Sequence, residues 1–149
     1  MANTRRARII AAAPQDIWNV LADFGSISAW ADNVDHSCIL THGPGGGPVG
    51  TTRRIQAGRN TLVERITEFD PPHTVAYDIE GLPERLGHVA NRWTLSPTAA
   101  GTHVTLTSTV EIGSRPTQQL AELLFCRVLA RQSDCMLDGL ASRLEKSRV

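Results

Sequence analysis

Residues 51–70 read TTRRIQAGRNTLVERITEFD, two alternating runs that meet at Ala57-Gly58-Arg59-Asn60. Gly58 suits the first central position of a type II′ turn, whose twist matches that of paired strands. A two-residue turn at Gly58-Arg59 and a four-residue loop over 57–60 give the same pairing. Arg53 then lies opposite Glu64, Ile55 opposite Leu62, and Thr51 opposite Ile66. Side chains alternate across a strand, so these six residues share one face. The other face carries Thr52, Arg54, Gln56, Thr61, Arg65 and Thr67, with Val63 as its sizeable apolar residue. The first face is the inward one, and it carries Arg53 and Glu64 inward opposed to each other.

The pattern extends on both sides. An even-length turn around Pro71-Pro72 sets Ile66 opposite Tyr77, Glu68 opposite Val75 and Glu64 opposite Ile79. Nearer the C-terminus, Val89, Asn91, Trp93 and Leu95 share a face and oppose Val110, Ser108, Leu106 and Val104. Arg92, His103, Thr105 and Thr107 then look outward. Turn signals at GPGGGP, AGRN, DPPH, GLPERLG and SPTAAG separate six strands, at 34–41, 49–57, 60–69, 74–80, 88–96 and 102–112.

Before them, 5–12 reads as a first strand. Pro14 opens a helix, PQDIWNVLADF, with Ile17, Val20, Leu21 and Phe24 at helical spacing; Ser26 can cap a second short helix holding Ile27 and Trp30. After Pro116, residues 117–146 contain a single glycine, Gly139, and predict a helix roughly 45 Å long. Consecutive strands on short turns are antiparallel, and helices cannot insert between them. The fold class is α+β, one domain over 1–149: a seven-stranded curved antiparallel sheet, a long C-terminal helix, and two short helices after strand 1.

Composition excludes several function classes. Fifteen basic residues balance fifteen acidic ones, which leaves no basic footprint for nucleic acid. The N-terminal run IIAAA stops at Pro14, short of a secretory h-region, and no run reaches the length of a membrane span. Cys126 and Cys135, nine residues apart on one helix, lie on opposite faces roughly 13 Å apart along the axis and cannot bridge. With Cys38 the count is odd, so a reduced, cytoplasmic protein is expected. The histidines at 36, 42, 73, 88 and 103 show no metal-ligand spacing, so neither metal nor cofactor is expected. GPGGGPVG at 43–50 lacks the GK[ST] ending of a phosphate loop and leads into a strand; a flexible connection, such as a flap at a cavity mouth, is the better reading.

The inward wall is apolar with polar tips at Arg53, Glu64, Tyr77, Asn91 and Ser108. Such a lining suits a small-molecule cavity; a filled core in which Arg53 and Glu64 neutralise each other is the competing reading. The predicted ligand wall comprises Arg53, Ile55, Leu62, Glu64, Ile66, Tyr77, Ile79, Asn91, Trp93, Leu106 and Ser108 of the sheet. The long helix adds Phe125, Leu129, Met136 and Leu140. Trp93 would stack on a ligand, and Arg53 would meet its carbonyl or carboxylate. The first half of the long helix, LAELLFCRVLA, is apolar nearly all round, as a sunken helix, a ligand lid or a dimer patch would be.

The segments IIAAAPQDIWNVLADFGSISAW, PVGTTRRI, LVERITEFDPP, TVAYDIE, NRWTLSP, GTHVTLT and MLDGLASRLEK together resemble the helix-grip superfamily (SRPBCC). It comprises START-related lipid-transfer domains, birch-pollen-allergen-like proteins and bacterial polyketide cyclase/dehydrase-like proteins. The resemblance covers nearly the whole chain. It implies a sheet wrapped around the C-terminal helix with an apolar cavity between them.

Three functions follow as expectations. The first is binding of a hydrophobic small molecule, such as a lipid or polyketide, as carrier or sensor. The second is a cofactor-independent polyketide cyclase, dehydratase or aromatase, with Arg53 or Tyr77 as donor and Glu64 or His36 as base. The third is a partner module, with a homodimer through the long helix. Stable membrane insertion is not expected.

Overall fold

The computed structural model describes residues 2–146. The chain order is β1 (Ala2–Ile10), α1 (Pro14–Ala22), a 3-10 helix (Phe24–Ala29), β2 (His36–Thr41), β3 (Thr52–Ala57), β4 (Asn60–Asp70), β5 (Thr74–Glu80), β6 (His88–Thr98), β7 (Gly101–Glu111) and α2 (Pro116–Lys146). All seven strands form one antiparallel sheet in the order β1-β7-β6-β5-β4-β3-β2. Six strands are laid down as neighbours in chain order, and β1 closes against β7.

The register of the β3–β4 hairpin is the one the turn dictates: Arg53 faces Glu64 and Ile55 faces Leu62. Gly58 holds φ +60°, the left-handed region a turn needs there. The β6–β7 pairing also agrees, with Asn91 opposite Ser108 and Trp93 opposite Leu106. The β4–β5 pairing departs from expectation. A bulge between Ile66 and Glu68 brings Phe69, not Glu68, opposite Val75. One extra residue reverses the side-chain alternation. Glu68 therefore lies outside, pairing with Arg92 at 3.1 Å, while Phe69 packs edge-on against Trp18 at 5.1 Å between centroids.

α1 and the 3-10 helix close one end of the concave face. Ile17, Trp18, Leu21, Phe24, Ile27 and Trp30 are all buried. Ser26 lies inside the 3-10 helix rather than capping it. The second half of α2 buries Met136, Leu137, Leu140, Ala141 and Leu144 in the same core. Gly139 lies where α2 crosses the backbone of Trp30, and a β-carbon there would run into the Trp30 carbonyl oxygen. The same half of the helix is tied to β1 by ion pairs from Arg6 to Asp134 and from Arg8 to Asp138. On its first half Leu120, Leu124 and Val128 stand exposed. The apolar character all round that half is therefore not that of a sunken helix.

Candidate functional site

The concave face is solid at one end and hollow at the other. At the solid end Tyr77 is the hub. Its oxygen accepts the Trp93 Nε1–H at 3.2 Å and the Asn91 Nδ2–H at 3.4 Å, and Ser108 Oγ donates to Asn91 Oδ1 at 2.6 Å. Trp93 packs edge-on against Trp30 with centroids 5.9 Å apart. Burial, and secondarily the negative charge of Glu64, push the Tyr77 phenol above its ordinary range.

Arg53 lies against this hub. Its guanidinium carbon stands 3.7 Å from the Phe24 ring centroid and 4.7 Å from that of Tyr77. The two rings themselves meet edge-on at 5.5 Å. Nη1 donates to the Phe24 carbonyl at 2.9 Å, and Nε donates to Glu64 Oε1 at 2.8 Å. Nη2 is 2.6 Å from that same oxygen, but with no N–H aligned on it, so it adds charge contact without a hydrogen bond. Arg53 thus spends its fork and its faces inside the protein, with its side chain 3% exposed.

The hollow end is a cavity of about 810 Å³ between β3–β6 and the middle of α2. That volume suits a drug-sized or larger ligand. Ile55, Leu62, Ile79 and Asn91 line it from the sheet, and Phe125, Leu129 and Met136 from α2. Glu64, itself buried, is the carboxylate of its lining. Both contacts from Arg53 fall on Oε1, and Oε2 accepts no hydrogen bond from a described residue. Burial raises the Glu64 pKa, and Arg53 only partly offsets that rise. Ion pairing with Arg53 alone would make Glu64 a weaker base; desolvation runs the other way and outweighs it.

Eight of the sequence-predicted residues thus meet the cavity. Arg53, Ile66, Tyr77, Trp93, Leu106, Ser108 and Leu140 face inward as expected but do not line it. Their space is filled by Phe24, Trp30 and the second half of α2. His36, proposed as a base, is exposed and also lies outside the cavity. Ser37 takes the inward position on β2, donating to the Gly25 carbonyl at 2.8 Å, so its neighbours His36 and Cys38 turn outward. The glycine-rich loop is no flap: none of 43–50 lines the cavity, and Gly43 N–H folds back onto Thr51 Oγ1 at 3.1 Å.

The residues missed come from loops, from the ends of β3 and β4, from the 3-10 helix and from α2. Arg59 of the β3–β4 turn, Asn60 and Thr61 at the start of β4, and Gly81, Leu82, Pro83 and Leu86 of the β5–β6 connection line the cavity. Asn33 and Gln132 also line it and join across it, Asn33 Nδ2 donating to Gln132 Oε1 at 2.8 Å. For the β5–β6 connection the sequence signal was its length, which alternation alone does not orient. Among the described residues, no group of three His, Cys, Asp or Glu could hold a metal ion.

A curved sheet gripping a long helix, hollow at one end and apolar-lined, defines a helix-grip small-molecule-binding domain. The chain belongs to the family described as "Polyketide cyclase / dehydrase and lipid transport", whose model matches residues 1–145. In fold it is similar to the ZhuI aromatase/cyclase from Streptomyces sp. R1128, with TM-score 0.80 and 20% identity over 99% of this chain and 96% of that one. It is also similar to the di-domain aromatase/cyclase StfQ of the steffimycin biosynthetic pathway. There the TM-score is 0.78 and the identity 18%, over 98% of this chain but 51% of StfQ, about half its length. A Thermus thermophilus protein has TM-score 0.77 and 19% identity, over 99% of this chain and 100% of its own. No curated protein matches the chain in sequence.

Proposed function

We propose that the chain binds a hydrophobic small molecule whose inner end carries a hydrogen-bond donor, such as a phenolic or alcoholic hydroxyl. The observation that carries this reading is the placement of Glu64 in the cavity and of Arg53 behind it. Arg53 is enclosed by Phe24, Tyr77 and Glu64, so it is not placed to meet a ligand carboxylate. The charged group that the ligand meets at depth is an acceptor. An anionic end pushed against Glu64 is disfavoured by like charge and desolvation. The unpaired cysteines fit a reducing, cytoplasmic setting.

A cyclase reading is favoured by one observation, the burial-raised pKa of Glu64. In an aldol closure its carboxylate would take a proton from a carbon between two carbonyls. The carbanion would attack another carbonyl of the same chain, and the new alkoxide would receive the proton. The donors expected for that chemistry, Arg53 and Tyr77, do not line the cavity, which weighs towards binding.

The test is native mass spectrometry of the protein purified from its host, with extraction of whatever it carries. A stoichiometric hydroxyl-bearing apolar molecule supports the reading. A protein that arrives empty and takes up neither 2-naphthol nor naphthalene in titration overturns it. Equal affinity for 2-naphthol and 2-naphthoate at neutral pH would keep the cavity and remove the role given to Glu64.

A further inference from the structure

The first half of α2 turns a face to solvent that meets the cavity only at its edge, through Val128. Leu120, Leu123, Leu124 and Val128 are 59%, 60%, 53% and 51% exposed. At 3.6 residues per turn they fall, with Arg127 and Arg131, within an arc of roughly 140°. The opposite side is occupied inward by Glu122, Phe125, Cys126 and Leu129. Scattered exposed leucines are ordinary, but four apolar residues on successive turns of one face make a patch.

Charge makes the patch selective. The chain is neutral overall, yet every exposed charged residue from 115 to 132 is an arginine: Arg115, Arg127 and Arg131. The carboxylate of that segment, Glu122, is buried and accepts the Ile112 N–H at 2.7 Å. Position adds to charge. Val128 belongs both to the patch and to the cavity lining, so the patch runs into the cavity, whose lining also includes Arg59 of the β3–β4 turn. The next turns of the helix differ, since Asp134 and Asp138 are engaged by Arg6 and Arg8.

We propose that this face of α2 docks on an anionic lipid bilayer, bringing the cavity mouth against the membrane surface. Leucines set among arginines, with no exposed acid, are the chemistry of a helix that lies in the interface: the apolar chains enter the headgroup boundary and the guanidinium groups reach the phosphates. Among the described residues no helix is long and apolar enough to cross a membrane, so the contact is peripheral. A second copy of the chain is the competing occupant. Two such faces laid together would bring Arg127 and Arg131 of both copies close with no acid of the face to answer them.

The experiment sediments the full chain with vesicles of phosphatidylcholine alone and of phosphatidylcholine mixed with phosphatidylglycerol. Binding is expected to the mixed vesicles and to weaken as salt rises. Arg127→Gln with Arg131→Gln lowers the affinity on the order of twenty-five-fold, from about one fivefold step per basic residue at an anionic surface. Leu120→Ser with Leu124→Ser removes the protein from the vesicles while its circular dichroism is unchanged. Sedimentation that ignores phosphatidylglycerol, or that survives both double variants, overturns the proposal. So does a concentration-dependent dimer that Leu120→Ser with Leu124→Ser dissolves in a protein without vesicle affinity, which would assign the patch to a second copy. None of these results depends on what the cavity holds.

Discussion

Arg53 and Glu64 stand directly opposite on β3 and β4, both buried, with the Arg53 Nε–H 2.8 Å from Glu64 Oε1. The arginine's partners are all protein groups, whereas the glutamate has one side towards the cavity. The pair is therefore asymmetric: one member is structural and the other is available.

Removing the structural member leaves a carboxylate in the interior with no counter-charge. Arg53→Met is expected to cost about 3–5 kcal/mol in urea unfolding. Arg53→Met combined with Glu64→Leu should cost much less than the two single changes added together, because the uncompensated charge is gone. An unchanged unfolding midpoint in Arg53→Met would show that the pair is hydrated.

Glu64 also gives stability a pH signature. Its folded pKa is raised, chiefly by burial, so the folded protein keeps this proton where the unfolded chain, at about 4.3, has lost it. The contribution is full below that pH, declines as pH rises towards the folded pKa, and is constant above it. The stability difference between wild type and Glu64→Gln should therefore fall with rising pH across that window. A difference that rises instead would mean that Arg53 outweighs desolvation.

Trp93 and Leu129 separate the solid end from the hollow end. Trp93→Phe removes the N–H to Tyr77 and part of the contact with Trp30, and should cost about 1–3 kcal/mol while leaving uptake of a neutral probe such as N-phenyl-1-naphthylamine unchanged. Leu129→Trp should do the reverse, lowering probe affinity on the order of tenfold at nearly constant stability. Loss of probe binding in Trp93→Phe would extend the cavity into the Tyr77 cluster.

Replacing a helical glycine with alanine ordinarily stabilises by about 0.5–1 kcal/mol. Gly139→Ala is expected to destabilise by about 1–3 kcal/mol instead, because the new methyl meets the Trp30 carbonyl and α2 must lift from the core. A raised melting temperature would show that the helix crosses with room to spare.

The hairpin register was legible because turn geometry and alternation are local and agree: Gly58 sets the loop, and the rest follows. The bulge at Ile66/Glu68 was not, since inserting one residue leaves both registers with a tolerable pattern and only the fit of Phe69 against Trp18 chooses. Inward orientation was likewise readable for Trp93 and Tyr77, but whether an inward residue meets a ligand or another side chain depends on how far the opposite layer descends. Phe24 and Trp30 descend far enough to fill one end, and nothing in their own spacing announces it. That LAELLFCRVLA is apolar nearly all round was visible; which side faced the cavity was fixed by Phe125 and Leu129 packing inward.

The division of the concave face into a filled end and an empty one has a consequence for how such a chain changes over generations. Residues that hold the molecule together, such as Trp93, Tyr77 and Leu140, are largely different from those that meet a guest, such as Leu62, Ile79 and Leu129. Re-cutting the guest wall subtracts few contacts from the filled end, so new cargoes can be tried without unfolding the vessel. Ile27, Val34, Ile55 and Met136, which belong to both sets, are the positions where that freedom ends.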